Sequence, residues 1–87
     1  MEFEWDETKR ALNLAKHGLD FADVAGLDWA SARVERDLRF DYGEERFIAV
    51  GQFGGDVLAV ALTFRGNAVR VVSFRPASRR ERRSYGT

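Results

Sequence analysis

From Ala32 onward, apolar and polar residues alternate with a period of two, the pattern of β-strands that bury one face. Three turn sequences interrupt this alternation: Asp41-Tyr42-Gly43, Gly54-Gly55 and Gly66-Asn67. They predict four strands, over residues 33–40, 46–53, 57–65 and 69–75. Because short links join successive strands as hairpins, we expect an antiparallel meander.

The residues before Ala32 have mainly helical spacing. Residues 3–5 alternate and predict a short strand, after which Asp6 is a helix N-cap. The first helix should span residues 7–17 and end at Gly18. A second helix, capped by Asp20, is expected to end near residue 28 or 29.

The C-terminal end predicts one more helix. Pro76 closes the last strand because it cannot donate to the ladder, and Ser78 and Glu81 have the S-x-x-E spacing of a capping box. The predicted order is β-α-α-β-β-β-β-α, an α+β sandwich with two helices on one face of an antiparallel sheet and a short terminal helix. Whether Arg65 and Arg75 share a face depends on the strand register.

Composition narrows the class of protein. A chain of 87 residues predicts a single domain over residues 1–87. Without cysteine and with one histidine, neither a disulfide nor a metal site is expected, and no cofactor is implied. An acidic N-terminus and the lack of a long apolar stretch favour a cytoplasmic protein that does not enter the membrane.

Charge is divided sharply along the chain. From Arg65 to the C-terminus there are seven basic residues and one acidic residue, whereas the preceding residues hold seven basic and thirteen acidic ones. These charges cancel to a net of zero. Such asymmetry indicates a nucleic acid or an acidic partner. The alternative is that the C-terminal arginines form a solvated helix face.

Several motifs together resemble one family, the BrnT ribonucleases of type II toxin-antitoxin systems. The resemblance covers residues 3–85, and the ordered set is more specific than any one motif. The matching residues are Phe3-x-Trp5-Asp6-x-x-Lys9, Asn13, Lys16-His17-Gly18-x-x-Phe21, Tyr42-Gly43-Glu44-Glu45-Arg46-Phe47, Gly51, Thr63-x-Arg65, Arg70-x-x-Ser73-x-Arg75-x-Ala77, Glu81-Arg82 and Tyr85. Phe74, Pro76 and Asp20 depart from the family pattern.

The resemblance implies a fold similar to RelE-type toxins and metal-independent RNA cleavage that arrests translation. It also implies a BrnA-like antitoxin with a ribbon-helix-helix domain, joined to the toxin in a 2:2 heterotetramer. In that complex only the antitoxin would contact operator DNA.

RNA cleavage without metal needs a base for the 2′-OH, an acid for the leaving oxygen, and cations around the phosphorane. Lys16, His17, Arg65 and Arg75 are the candidate catalytic residues. A histidine can serve as acid or base in neutral solution, which makes His17 a candidate, but His17 also suits a helix C-terminus, as does Lys16. For the two arginines the alternative is a structural ion pair with Asp41, Glu44 or Glu45.

The remaining basic residues are candidates for RNA capture. They are Arg70, Arg79, Arg80, Arg82 and Arg83, together with Tyr85, which either stacks on a base or anchors the last helix. Two other functions remain open for this chain. It could be a non-catalytic nucleic-acid-binding module, or a degenerate toxin kept as a regulatory partner subunit.

Overall fold

The computed structural model describes residues 2–86. Its helices and strands are, in chain order, β1 (Glu2–Glu4), α1 (Glu7–His17), a 3₁₀ helix (Phe21–Gly26), β2 (Arg33–Arg36), β3 (Phe47–Phe53), β4 (Asp56–Arg65), β5 (Ala68–Pro76) and α2 (Arg79–Tyr85). Within this range no helix is long and apolar enough to cross a membrane.

The sheet has five strands in the order β1-β5-β4-β3-β2. Strands β2 to β5 pair with their chain neighbours in antiparallel fashion. The α+β class is therefore confirmed, but the prediction of a wholly antiparallel sheet is wrong, because β1 joins β5 in parallel. This pairing places Phe3 opposite Val69, so that it packs on the apolar core.

The second predicted helix is a 3₁₀ helix and ends earlier than expected, at Gly26. Phe21, Val24 and Leu27 are all buried and are spaced by three residues. That spacing matches the three residues per turn of a 3₁₀ helix, so the tighter turn puts all three side chains into the core.

Strand β2 ends at Arg36, short of the predicted end at residue 40. The Asp37 carboxylate, only 4% exposed, accepts hydrogen bonds from the Arg39 guanidinium and the Tyr42 hydroxyl. These bonds hold the pKa of Asp37 well below its usual range, with the Arg39 guanidinium as the largest cause. The chain therefore turns around a buried carboxylate and leaves the sheet.

The two faces of the sheet differ in what covers them. The core face carries Ala49, Val60 and Phe74, and it packs against the 3₁₀ helix. Helix α1 contacts β5, and Asn13 is its buried residue. The arginine face is the opposite face and carries Ala59, Ala61, Arg70 and Arg75, as the strand register shows. Helix α2 packs on the arginine face, where Ala77 and Tyr85 contact Val50 and Val57.

Candidate nucleic-acid interface

A β-bulge in β5 decides which face Arg75 occupies. Thr63 lies opposite Arg70, but the register shifts between Ala61 and Leu62, so that Arg75 lies opposite Ala59. With regular pairing Arg75 would instead face Leu58 and lie on the core face. Because side chains alternate with a period of two, the extra residue, Val72, brings Arg75 onto the same face as Arg65 and Arg70.

Helix α2 is held across this face by two arginines. The register aligns Arg33, Val50, Ala59 and Arg75 in one row across four strands, about 14 Å long. At one end Arg75 binds both carboxylate oxygens of Glu81, at 2.7 and 2.9 Å. At the other end Arg33 donates to the Ser84 carbonyl at 2.9 Å. The helix therefore lies over this row of residues.

Glu81 has two roles at the start of α2. Its carboxylate accepts from the Ser78 backbone N–H, which completes the predicted capping box, and it also forms the fork with Arg75. The Arg75 guanidinium is the largest cause of lowering the pKa of Glu81 to about 2. The S-x-x-E spacing indicated the cap, but it did not indicate that Glu81 would be the partner of Arg75.

Beyond α2 the arginine face is open. The next row of residues is Ile48, Ala61 and Ser73, which are half-buried. Past them lies Arg70, 3.4 Å from the Glu4 carboxylate, and then Arg65, 3.8 Å from the Glu44 carboxylate and 55% exposed. The face is therefore a floor of small and apolar side chains between α2 and two further arginines.

The structure places Arg65 and Arg75 at opposite ends of this floor. Arg75 is level with Ala59, and Arg65 lies six positions further along β4 than Ala59. At about 3.3 Å per residue the two arginines are about 20 Å apart along the strand. The two side chains share a face, but they cannot contact the same phosphate.

Lys16 and His17 lie in the last turn of α1, the helix that contacts β5. Helix α1 follows β5 in the direction of the strand, because Glu4 pairs with Arg70 and the Asn13 amide bonds to Phe74. His17 lies one turn beyond Asn13, about 6 Å further along. This turn is therefore level with the end of β5, with Lys16 exposed and His17 half-buried.

The remaining predicted RNA contacts are on α2. Arg79, Arg80, Arg82 and Arg83 are exposed, and in residues 2–86 none of them forms an ion pair or a side-chain hydrogen bond. Tyr85 is half-buried, packs on the sheet, and its hydroxyl lies 3.2 Å from that of Ser31. Tyr85 therefore makes the contacts expected if it anchors the last helix to the sheet.

The arrangement can hold polyanions and can move protons at one end. Within residues 2–86, no group of three or more His, Asp or Glu side chains has a geometry that could hold a metal ion. Along β5, the last turn of α1, which carries Lys16 and His17, is level with Arg75 on the arginine face. Two further cations, Arg65 and Arg70, lie at the far end of the same face.

A family model described as the ribonuclease toxin BrnT of type II toxin-antitoxin systems matches residues 5–81. No curated protein matches the chain.

Proposed function

The chain belongs to the BrnT family of ribonuclease toxins of type II toxin-antitoxin systems, and from this premise we propose that it cleaves RNA without a metal ion. In this mechanism the ribose 2′-OH attacks the adjacent phosphorus, the 5′-oxygen leaves with a proton, and the product ends in a 2′,3′-cyclic phosphate. Cleavage would arrest translation. We further propose that the sheet and its helices form a RelE-like sandwich.

The observation that carries the proposal is that the last turn of α1 is level with Arg75 near the end of β5. Lys16 and His17 are candidates for base and acid, and Arg75 is the candidate cation for the phosphorane. A guanidinium fork suits a phosphoryl group because it donates two parallel hydrogen bonds. Glu81 already binds Arg75 in this way, so its carboxylate occupies the position that a phosphate group would take.

The other arginines would position the strand. Arg65 is too far from Arg75 to act on the same phosphate, so it would bind a neighbouring phosphate of the same RNA, with Arg70 beside it. Arg79, Arg82 and Arg83 would attract RNA through long-range charge, which predicts salt-dependent binding.

Metal-free cleavage is the first prediction. Purified wild-type protein in excess EDTA should cut single-stranded RNA, and the 3′ fragments should begin with a 5′-hydroxyl. The Arg65→Ala/Arg75→Ala double variant, checked for its fold by circular dichroism, should not cut. Cleavage only after Mg²⁺ is added would contradict the mechanism. Binding without any cleavage would favour a non-catalytic module or a degenerate toxin.

A type II system implies an antitoxin partner. We propose a BrnA-like antitoxin with a ribbon-helix-helix domain, which joins the toxin in a 2:2 heterotetramer and alone contacts operator DNA. Its toxin-binding segment should present acidic and apolar side chains, because the arginine face offers exposed guanidinium groups beside Ile48 and Ala61. A tight partner would also stabilise so small a domain by about 4 kcal/mol at a thousandfold excess over Kd.

The second prediction follows from this shared surface. Co-expression with the adjacent reading frame should yield a complex that no longer binds RNA, and light scattering should give the mass of two toxins and two antitoxins. Addition of RNA at low salt should not form a ternary complex. A complex that binds RNA as tightly as the free toxin would show that the antitoxin covers another face.

A further inference from the structure

A groove of about 480 Å³ lies on the arginine face, between α2 and the β2 side of the sheet. Its volume is within the roughly 300–1,000 Å³ typical of sites for small ligands. The floor of the groove holds Ile48 and Val50. One wall is formed by α2, with Arg80, Ser84 and Tyr85, and the other by β2, with Glu35.

One end of the groove is closed. The Arg33 guanidinium reaches from β2 to the Ser84 carbonyl of α2, and the Ser31 and Tyr85 hydroxyls meet at 3.2 Å. The opposite end opens beside Leu38, which is 76% exposed. A ligand would therefore enter from the side of the open sheet and stop against the contacts between Arg33 and α2.

Most charges that line the groove are already paired. Arg39 holds Asp37, Arg75 holds Glu81, and Arg36 lies 3.1 Å from Glu45. Because each pair joins one positive and one negative group, the three pairs contribute little net charge to the groove.

Three other charged side chains line the groove. The Ser84 carbonyl holds the Arg33 guanidinium at the closed end, which leaves Glu35 and Arg80 available. The Glu35 carboxylate is 67% exposed, and its contact with Arg33 is long, at 3.8 Å. Arg80 forms no ion pair within the described part of the chain. Glu35 and Arg80 stand on opposite walls, above the apolar floor of Ile48 and Val50.

This combination fits a nucleobase better than a phosphate. A phosphate beside Glu35 would meet a like charge, whereas a base offers a flat apolar face to the floor and N–H donors at its edge. Guanine presents two adjacent donors, N1–H and the 2-amino group, which match the two oxygens of a carboxylate. Uracil presents one N–H between two carbonyl oxygens, which a carboxylate repels.

We propose that this groove binds a guanine base of single-stranded RNA, with Glu35 accepting from its N1–H and 2-amino group while Arg80 binds the adjacent phosphate. The inference rests on the proposed function, since it names the base that the nuclease would hold beside the scissile bond. Loss of a bidentate contact to a base corresponds to about a ten- to hundredfold change in affinity.

The third prediction uses short 2′-O-methyl oligonucleotides, which cannot undergo attack by the 2′-oxygen. Fluorescence anisotropy would compare oligouridine with the same strand that carries one guanosine or one inosine, which lacks the 2-amino group. Wild-type protein should bind the guanosine strand at least about tenfold more tightly than the other two. Glu35→Gln should remove this preference without weakening the binding of oligouridine.

A matched variant controls for net charge. Asp56→Asn removes the same charge at an exposed position of the β3–β4 hairpin, outside the groove, and should retain the preference for guanosine. The proposal is overturned if wild type shows no base preference, or if Glu35→Gln keeps it. It is also overturned if Glu35→Gln and Arg80→Ala weaken only the binding of the antitoxin.

The binding assay and the cleavage assay in EDTA, taken together, separate the guanine site from the proposed nuclease activity. A protein that prefers guanosine but never cuts unmodified RNA would refute the nuclease proposal and leave the guanine site standing. A protein that cuts RNA in EDTA with equal efficiency at all bases would refute the guanine site and leave the nuclease proposal standing.

Discussion

Arg75→Ala should abolish growth arrest and lower the rate of RNA cleavage by about 10²–10³-fold or more, as expected when one donor to a developing negative charge is lost. Arg75 is the arginine closest to the end of α1 along β5, and its fork is already directed at a carboxylate. The measurement is single-turnover cleavage in EDTA, at saturating protein, so that weaker binding does not enter the rate.

A control must separate chemistry from the docking of α2, because Arg75 also holds that helix. Glu81→Gln breaks the same ion pair and keeps the guanidinium, and glutamine still supports a capping box. Glu81→Gln should therefore remain toxic, whereas Arg75→Ala should not. Equal loss of activity in both variants would mean that the pair acts only by holding α2.

Asn13→Leu should lower the free energy of unfolding by about 2–4 kcal/mol. Asn13 is 8% exposed, and its amide donates to the carbonyls of Leu19 and Phe74 and accepts from the Phe74 N–H. Leucine has a similar size but leaves these three backbone groups without a partner. The loss is a large fraction of the roughly 4–13 kcal/mol expected for 87 residues.

Thermal unfolding followed by circular dichroism measures this effect, which should appear as a fall in Tm of roughly 10–25 °C. Leu12→Ala is the matched control, because Leu12 is in the same helix and is 66% exposed. It should change stability by less than about 0.5 kcal/mol. An unchanged Tm in Asn13→Leu would show that the amide does not tie α1 to β5.

Local signals predicted much of this fold. Asp6 and Gly18 bound α1 at the predicted residues, and the hairpin turns at Gly54-Gly55 and Gly66-Asn67 join strands close to the predicted ones. These features depend on caps and turns, whose chemistry is contained in a few adjacent residues. The pairing of β1 with β5 joins residues at opposite ends of the chain, and no local pattern specifies it.

The sequence proposed residues for the candidate site, but it did not indicate their geometry. The bulge at Val72 decides that Arg75 shares a face with Arg65, and its signal was visible: Val71 and Val72 are adjacent apolar residues that shift the alternation by one position. The partner of Arg75 was not visible, since α2 has to fold back onto the sheet before Glu81 can reach it.

In the proposed reaction the 2′-OH next to the scissile phosphate is the nucleophile. A direct test uses an RNA oligonucleotide with one mapped cleavage position, in EDTA, and replaces the ribose at that position by 2′-deoxyribose. Cleavage at that position should stop, and cleavage elsewhere should continue unchanged. Continued cleavage at the deoxyribose would require water or a protein group as the nucleophile and would rule out attack by the 2′-OH.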